Sequence, residues 1–406
     1  MLGVLPRPPL IVEKIWKAPV VHLPVPPSFL YVSSYCGHVT TLDVRPLTHS
    51  QRDNKGPFRL NQVSSTYTGG NPSFLTIDKA RSTLYCLDEG LTSTCGSLAS
   101  FRMNQDGSLA LLDKKATPGG PVSGALYHRG KMLAVAHYAD EAITTWNVWD
   151  PQKLRLKQTR KLKPPTANSY VAPQDVPRPQ QVMFDPTGQF AVVPDLGCDR
   201  IRIYRVPGGG KPELKHTGVA RVKQGSGPRH GAFAVGSDRT YLYILTELSN
   251  EIIGFKVHYR SGTMKLQKIF STGIHGKKPA PEGASASEII VTPDNKSVIV
   301  ASRNENSIEM PHPDPENSAK VQTDPLIHFS INSETGQLTM GDKVSCGGSD
   351  PRQFSISKAG TLLAVALQKE GRVAVMRRDV GAGGLVLEPV GNADVGGQVT
   401  SVVFDE

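Results

Sequence analysis

Arg178-Pro179-Gln180-Gln181-Val182-Met183-Phe184-Asp185-Pro186-Thr187-Gly188-Gln189-Phe190-Ala191-Val192-Val193-Pro194-Asp195-Leu196-Gly197, continued by Ile201-Arg202-Ile203-Tyr204-Arg205-Val206, reads as three short strands. A proline leads the first apolar run, Asp185-Pro186-Thr187-Gly188 turns the chain, and the second run ends on a carboxylate. Relatives of this unit begin at Asn71-Pro72-Ser73-Phe74, Gly120-Pro121-Val122-Ser123, Gly227-Pro228-Arg229-His230 and Asp350-Pro351-Arg352-Gln353, with a weaker copy at Ser285-Ala286-Ser287-Glu288. The copies recur at roughly 50–65 residues, the period of propeller blades rather than of helical solenoids. Blades pack radially, so their innermost strands line one central channel and any site belongs there.

The two ends of the chain complete the count. Gln398-Val399-Thr400-Ser401-Val402-Val403-Phe404-Asp405 reads as a first strand with nothing after it. Phe29-Leu30-Tyr31-Val32-Ser33-Ser34-Tyr35 and His38-Val39-Thr40-Thr41-Leu42-Asp43-Val44 read as second and third strands with no first. Joined, they make one blade, and with six internal copies the expected fold is an all-β, seven-bladed propeller closed by pairing of its N-terminal and C-terminal strands. The expected organisation is a Pro-rich arm over residues 1–28 and one propeller domain over 29–406, with a loop insertion at 309–324 in the sixth blade.

Composition narrows the function. The 406 residues carry a formal charge of +10, but the lysines and arginines are spread out. The densest run, Lys153-Leu154-Arg155-Leu156-Lys157-Gln158-Thr159-Arg160-Lys161-Leu162-Lys163, alternates like a solvated outer strand, so no nucleic-acid partner is expected. No apolar stretch is long enough to span a bilayer, and Met1-Leu2-Gly3-Val4-Leu5-Pro6 is too broken for a secretory core, so no membrane partner and a cytoplasmic setting are expected. Cys36, Cys86, Cys95, Cys198 and Cys346 are odd in number and lack metal-ligand spacing, so they read as reduced thiols, with no metal and no cofactor expected. A Gly-x-Ser-x-Gly elbow and a phosphate loop are absent, and Trp149-Asp150 occurs once, out of phase with a WD-type scaffold.

Arginines cluster at equivalent points of the repeat. Arg178, Arg229 and Arg352 flank the proline that opens an inner strand, and Arg303 ends a second strand that returns to the same rim. Planar, permanently charged guanidiniums suit carboxylates or phosphates, so a small anionic substrate is expected, with blade-to-blade salt bridges as the alternative. Glu247 follows the apolar strand Tyr241-Leu242-Tyr243-Ile244-Leu245, which drives it to the rim beside Arg229 as a candidate acid or base. Asp195 reads more readily as a turn residue bonding backbone amides, and His137 and His230 as histidines bonding a neighbouring blade.

The chain resembles the lactonase family of seven-bladed propellers, which includes propeller-type 6-phosphogluconolactonases and the fungal 3-carboxy-cis,cis-muconate lactonising enzyme. The likeness rests on Val193-Pro194-Asp195-Leu196-Gly197-Cys198-Asp199-Arg200-Ile201-Arg202-Ile203-Tyr204, on Gly225-Ser226-Gly227-Pro228-Arg229-His230 with Glu247-Leu248-Ser249, on Ala301-Ser302-Arg303-Asn304, and on Asp350-Pro351-Arg352-Gln353-Phe354. It implies Arg229, Glu247 and Arg303 as catalytic residues. Arg178, Gln180, His137, His230, Arg352 and Asp195 are expected at the substrate. The family's His-Pro-His in the fourth blade stands here as Arg178-Pro179-Gln180, and its Asn-Tyr in the third as His137-Tyr138.

Three functions follow from the resemblance. The leading expectation is an intramolecular cyclase or isomerase of the cycloisomerase kind, acting on a small anionic or enolisable substrate in the channel. Gln180 has no proton to trade, so Glu247 is then the expected proton carrier. The second is a lactone hydrolase of the 6-phosphogluconolactonase type, in which the arginines polarise the lactone carbonyl. The third is an inactive propeller that binds a ligand or protein. No oligomeric state is implied.

Overall fold

The computed structural model describes residues 27–49, 58–164, 172–236, 238–313, 317–382 and 384–406; all but the last two residues of the expected arm lie outside that set. Seven sheets of antiparallel strands form the blades of a propeller. Blade 2 opens with Pro72–Asp78, blade 3 with Pro121–Tyr127, blade 4 with Met183–Phe184, blade 5 with Pro228–Val235, blade 6 with Ser285–Val291 and blade 7 with Pro351–Ile356. Blade 1 is the split one: Val399–Phe404 is its inner strand and pairs antiparallel with Phe29–Ser34, which leads on to His38–Asp43 and Asn61–Tyr67.

Strand position dictates sequence pattern. Second strands such as Phe29–Ser34, Thr83–Asp88, Met132–His137, Phe190–Asp195 and Leu362–Leu367 are buried at every residue, because a neighbouring blade covers each face. Outermost strands such as Arg155–Lys161, which carries most of the basic run, are largely exposed. Among the described residues the apolar core is accordingly divided into seven clusters, and each straddles one junction between adjacent blades. The junction of blades 7 and 1 has an extra brace. Phe58–Arg59 pairs in parallel with the outer strand Leu387–Asp394 of blade 7, and Leu47 and Leu60 are buried in the same cluster as Val390. In blade 6, Ile308–Pro311 and Lys320–Thr323 form a two-stranded ribbon within the segment expected to be loop.

The inner strands share a device that matters for the site. Their pairing with the second strand slips between Pro72 and Phe74, Pro228 and His230, Ala286 and Glu288, and Pro351 and Gln353. One residue is thus bulged out just after the opening position, and bulges re-aim side chains. The bulged side chain latches the ring where it is a hydroxyl: Ser73 donates to the Pro121 carbonyl, Ser287 to that of Pro351, and Thr400 to that of Pro72. In blades 5 and 7 the bulged residue is Arg229 or Arg352, and Gln180 holds the same place in blade 4. There the second strand carries Pro194, which has no amide to give the inner strand, and the regular pairing shrinks to Met183–Phe184.

Candidate functional site

A second ring of equivalent positions lies where each second strand ends. The amides of Tyr35, Glu89, Tyr138, Leu196, Glu247 and Gln368 each donate to the carbonyl of the residue preceding an inner strand's opening position, at 2.7–3.0 Å. Arg303 stands opposite Ser285 in the same way. The bulged positions and these strand ends meet at one rim of the channel. Gly227 makes the approach possible: its φ is 63°, and a Cβ there would lie 2.5 Å from Leu248 Cγ.

Arg229, Glu247 and Arg303 form one cluster across blades 5 and 6. Arg229 Nη1 donates to Glu247 Oε2 at 2.7 Å, and Arg303 Nη2 donates to Oε1 at 2.8 Å. The frame is tied to backbone as well, with Arg229 Nε on the Ser287 carbonyl at 2.8 Å and Arg303 Nε on the Ser285 carbonyl at 3.4 Å, while Arg303 Nη2 also donates to the Ser285 hydroxyl at 2.9 Å. Burial would raise the Glu247 carboxyl, but the charges and hydrogen bonds of Arg229 and Arg303 outweigh it and hold the group at about 2. Burial and the neighbouring Arg229 charge pull the Arg303 guanidinium below its usual range. Among the described residues, Arg229 Nη2 and Arg303 Nη1 have no protein partner, so two guanidinium edges remain for a ligand.

Tyr138 and Arg178 flank this cluster. The Arg178 guanidinium lies 4.9 Å from the centre of the Tyr138 ring and is braced by Asp175 at 3.0 Å. Burial raises the Tyr138 phenol; Arg178 and Arg229 oppose that and Glu247 adds to it, so the ring lies within the electrostatic reach of the cluster. Gln180 is mostly buried, its backbone amide bonds the Pro194 carbonyl, and its side-chain amide has no partner among the described residues. Tyr138 and Tyr35 escape the motif-based reading. Aligning the residue after each second strand would have found both.

Arg352 belongs to a different cluster. Its Nη2 donates to Glu89 Oε1 at 3.0 Å, Tyr35 donates to the same oxygen, and the guanidinium lies 5.2 Å from the Tyr35 ring centre. Burial alone would lower Arg352, but Tyr35 and Glu89 hold it above its usual range.

Two expected substrate contacts are structural instead. His137 is fully buried inside blade 3, its Nδ1 on the Pro118 carbonyl at 3.0 Å and its Nε2 on Thr144 Oγ1 at 2.8 Å, an oxygen that Trp146 also engages. Burial drops its imidazole to about 4. Asp195 is fully buried, accepts the Arg178 amide at 2.7 Å and pairs with Arg202 at 2.6 Å. His230 lies on the inner wall of blade 5, where its Nδ1 meets Glu288 Oε1 at 2.7 Å. Among the described residues, no group of three or more His, Cys, Asp or Glu could hold a metal ion, and no helix is long and apolar enough to cross a membrane.

Comparison with known proteins bears on what such a channel does. The family described as "Lactonase, 7-bladed beta-propeller" matches residues 31–404. A protein of Arthroderma benhamiae named probable 6-phosphogluconolactonase is 29% identical over 330 residues, which is 80% of this chain and 77% of its own. The 6-phosphogluconolactonase of Formosa agariphila is 27% identical over 80% of this chain and 86% of its own length. Among solved structures, the periplasmic gluconolactonase of Pseudomonas aeruginosa superposes with a TM-score of 0.72 at 24% identity, over 93% of this chain and 98% of that one, a likeness of fold. These relatives overturn the expectation of a cyclase or isomerase, since their names are those of lactone hydrolases. The geometry offers a physical reason: a carboxylate clamped between two arginines is a weak proton carrier, and cycloisomerisation would require Glu247 to be a good one.

Proposed function

The chain belongs to the lactonase family of seven-bladed β-propellers, and from that premise we propose that it hydrolyses the ring ester of a small anionic sugar lactone of the 6-phosphogluconolactone class. The observation that carries this reading is the Arg229–Glu247–Arg303 cluster, two guanidiniums, Arg229 buried and Arg303 partly buried, sharing one carboxylate at the channel rim. Two positive charges against one negative leave the cluster cationic, which favours an anionic ligand and, above all, an oxyanion.

Ester hydrolysis needs that property. Water adds to the acyl carbon, the carbonyl oxygen takes up negative charge, and the acyl–ring-oxygen bond then breaks to give an open hydroxy acid. The unpartnered edges of Arg229 and Arg303 can donate to that oxygen as its charge grows, and because Glu247 and backbone carbonyls already fix them, little reorganisation is needed. Glu247 serves here as the anchor of the two arginines. Tyr138, with Arg178 stacked on it, borders the same space and can position the sugar hydroxyls. The direct test is to follow loss of 6-phosphogluconolactone and of unphosphorylated gluconolactone with purified protein. Acceleration over the spontaneous rate, lost in Arg303→Gln, is expected; no acceleration of either lactone would overturn the proposal.

A further inference from the structure

The rim accounts for oxyanion binding but leaves the attacking water without a base, and the inner wall supplies a candidate. At four of the seven junctions the second residue after the opening position points toward the next blade, and its side-chain oxygen accepts the next inner strand's backbone amide. Ser123 accepts Val182 N, Gln181 accepts Gly231 N at 2.8 Å, Gln353 accepts Val402 N at 2.7 Å, and Ser401 accepts Leu75 N. Neutral acceptors suffice for that latch.

The same position is Phe74 in blade 2, and in blade 6 it is Glu288, which turns back toward blade 5, so three junctions lack the latch; only that of blades 5 and 6 puts an ionisable pair in its place. The equivalent residue is His230, and it meets Glu288 Oε1 at 2.7 Å, while the same oxygen takes the Ile289 amide at 3.0 Å. A charged and a titratable side chain thus replace a neutral latch at the one junction that also carries Arg229 and Arg303. A buried ionisable pair placed where a neutral latch suffices departs from the local pattern, and such departures concentrate at functional sites. From these observations we infer that His230, oriented by Glu288, is the base that activates water for the hydrolysis proposed above; the inference rests on that reading.

The placement supports the role. The bulge at Arg229 lets two successive side chains, Arg229 and His230, both face blade 6, where they meet the successive residues Ser287 and Glu288. The imidazole therefore stands one residue, about 3.3 Å of strand, further along the channel wall than the arginine that would hold the oxyanion. With Nδ1–H donated to Glu288, Nε2 is left as an acceptor, and it has no partner among the described residues. Glu247 is a poor rival because its two arginines hold it at about 2.

The step balances as follows. Nε2 takes a proton from water as the water oxygen bonds to the acyl carbon, giving an imidazolium paired with Glu288 and an oxyanion facing Arg229 and Arg303. When the acyl–ring-oxygen bond breaks, Nε2–H returns that proton to the departing ring oxygen. Histidine ends neutral, and one water has been consumed per hydroxy acid formed.

His230→Gln is the informative variant, since glutamine performs the ordinary latch at Gln181 and Gln353. With 6-phosphogluconolactone as the probe, its unfolding midpoint should stay close to the parent's while kcat falls about 10²–10⁴-fold with KM little changed. Added imidazole should restore part of the rate in His230→Ala. Should His230→Gln fail to fold, Glu288→Gln carries the test, with lowered kcat and unchanged KM expected. A folded His230→Gln or Glu288→Gln that keeps the parent kcat overturns the assignment, leaving the lactonase reading intact if Arg303→Gln is inactive. A parent protein that hydrolyses neither lactone overturns both.

Discussion

Arg229 and Arg352 occupy the same bulged position in blades 5 and 7, yet each is committed to a different carboxylate, Glu247 and Glu89 respectively. The difference sets the electrostatics of the channel rim. Glu247 is shared with a second guanidinium, that of Arg303, so its cluster stays positive. Glu89 is shared with the neutral Tyr35, so the Arg352 cluster is balanced. A repeat that places equivalent residues in equivalent positions has thus produced one side with net positive charge and one that is balanced.

Glu247→Gln tests the anchoring role through stability. The folded carboxyl sits at about 2 against an ordinary 4.5, so its contribution is fully present above 4.5 and is lost as pH falls from there toward 2. A shift of that size corresponds to roughly 3 kcal/mol. Chemical denaturation should show the variant less stable by an amount of that order at pH 7, with the gap narrowing below pH 4.5 and closing as pH falls toward 2. A gap independent of pH would show that the carboxylate charge is not what holds the two arginines.

His137→Gln should separate structure from catalysis in the opposite direction. Both ring nitrogens are bonded inside blade 3, so the variant should lose on the order of 1–3 kcal/mol of stability with kcat/KM unchanged. The parent should also lose stability as pH falls from 6.5 toward about 4, because protonating the buried imidazole favours the unfolded chain, and the variant should lack that acid limb. A drop in kcat/KM with unaltered stability would return His137 to the substrate.

Strand-level features were legible because they depend on local pattern. Proline-led apolar runs, turns and the orphan strands at Phe29 and Val399 specify blades and closure with no knowledge of the channel. What stayed hidden depends on how rings of equivalent residues stack. Glu288 lies in an internal copy that opens with Ala286 where the other internal copies have proline, so its equivalence to Gln181 and Gln353 shows only when pairing registers are compared. His137 and Tyr138 are adjacent in sequence, yet the strand end sends the histidine into the blade and leaves the tyrosine near Arg178. The ribbon at Ile308–Pro311 and Lys320–Thr323 was masked by the prolines around it, which read as loop chemistry.

Deleting residues from Val399 onward should open the ring. The cut removes Val399, Val402 and Phe404 from the cluster that joins blades 7 and 1, and burial of each such side chain is worth about 1.5–3 kcal/mol. It also exposes the edge of Phe29–Ser34 as a template for aggregation. A steep fall in Tm with loss of soluble protein is expected, and an unchanged Tm would mean that closure is not what holds blade 1 in place.

The two arginine clusters should separate kinetically. Arg303→Gln removes a donor aimed at developing charge, so kcat should fall about 10²–10³-fold, as for loss of one oxyanion donor. Truncating Arg352 alone would strand Glu89 in a buried site, an unpaired charge that typically destabilises by about 3–5 kcal/mol. The double change Glu89→Gln with Arg352→Met avoids that and removes a cluster that is already neutral. Because that cluster carries no net charge, the double variant should retain both kcat and KM within a few-fold. Equal losses of kcat from both changes would place the oxyanion between the clusters and remove the special role given to Arg229 and Arg303.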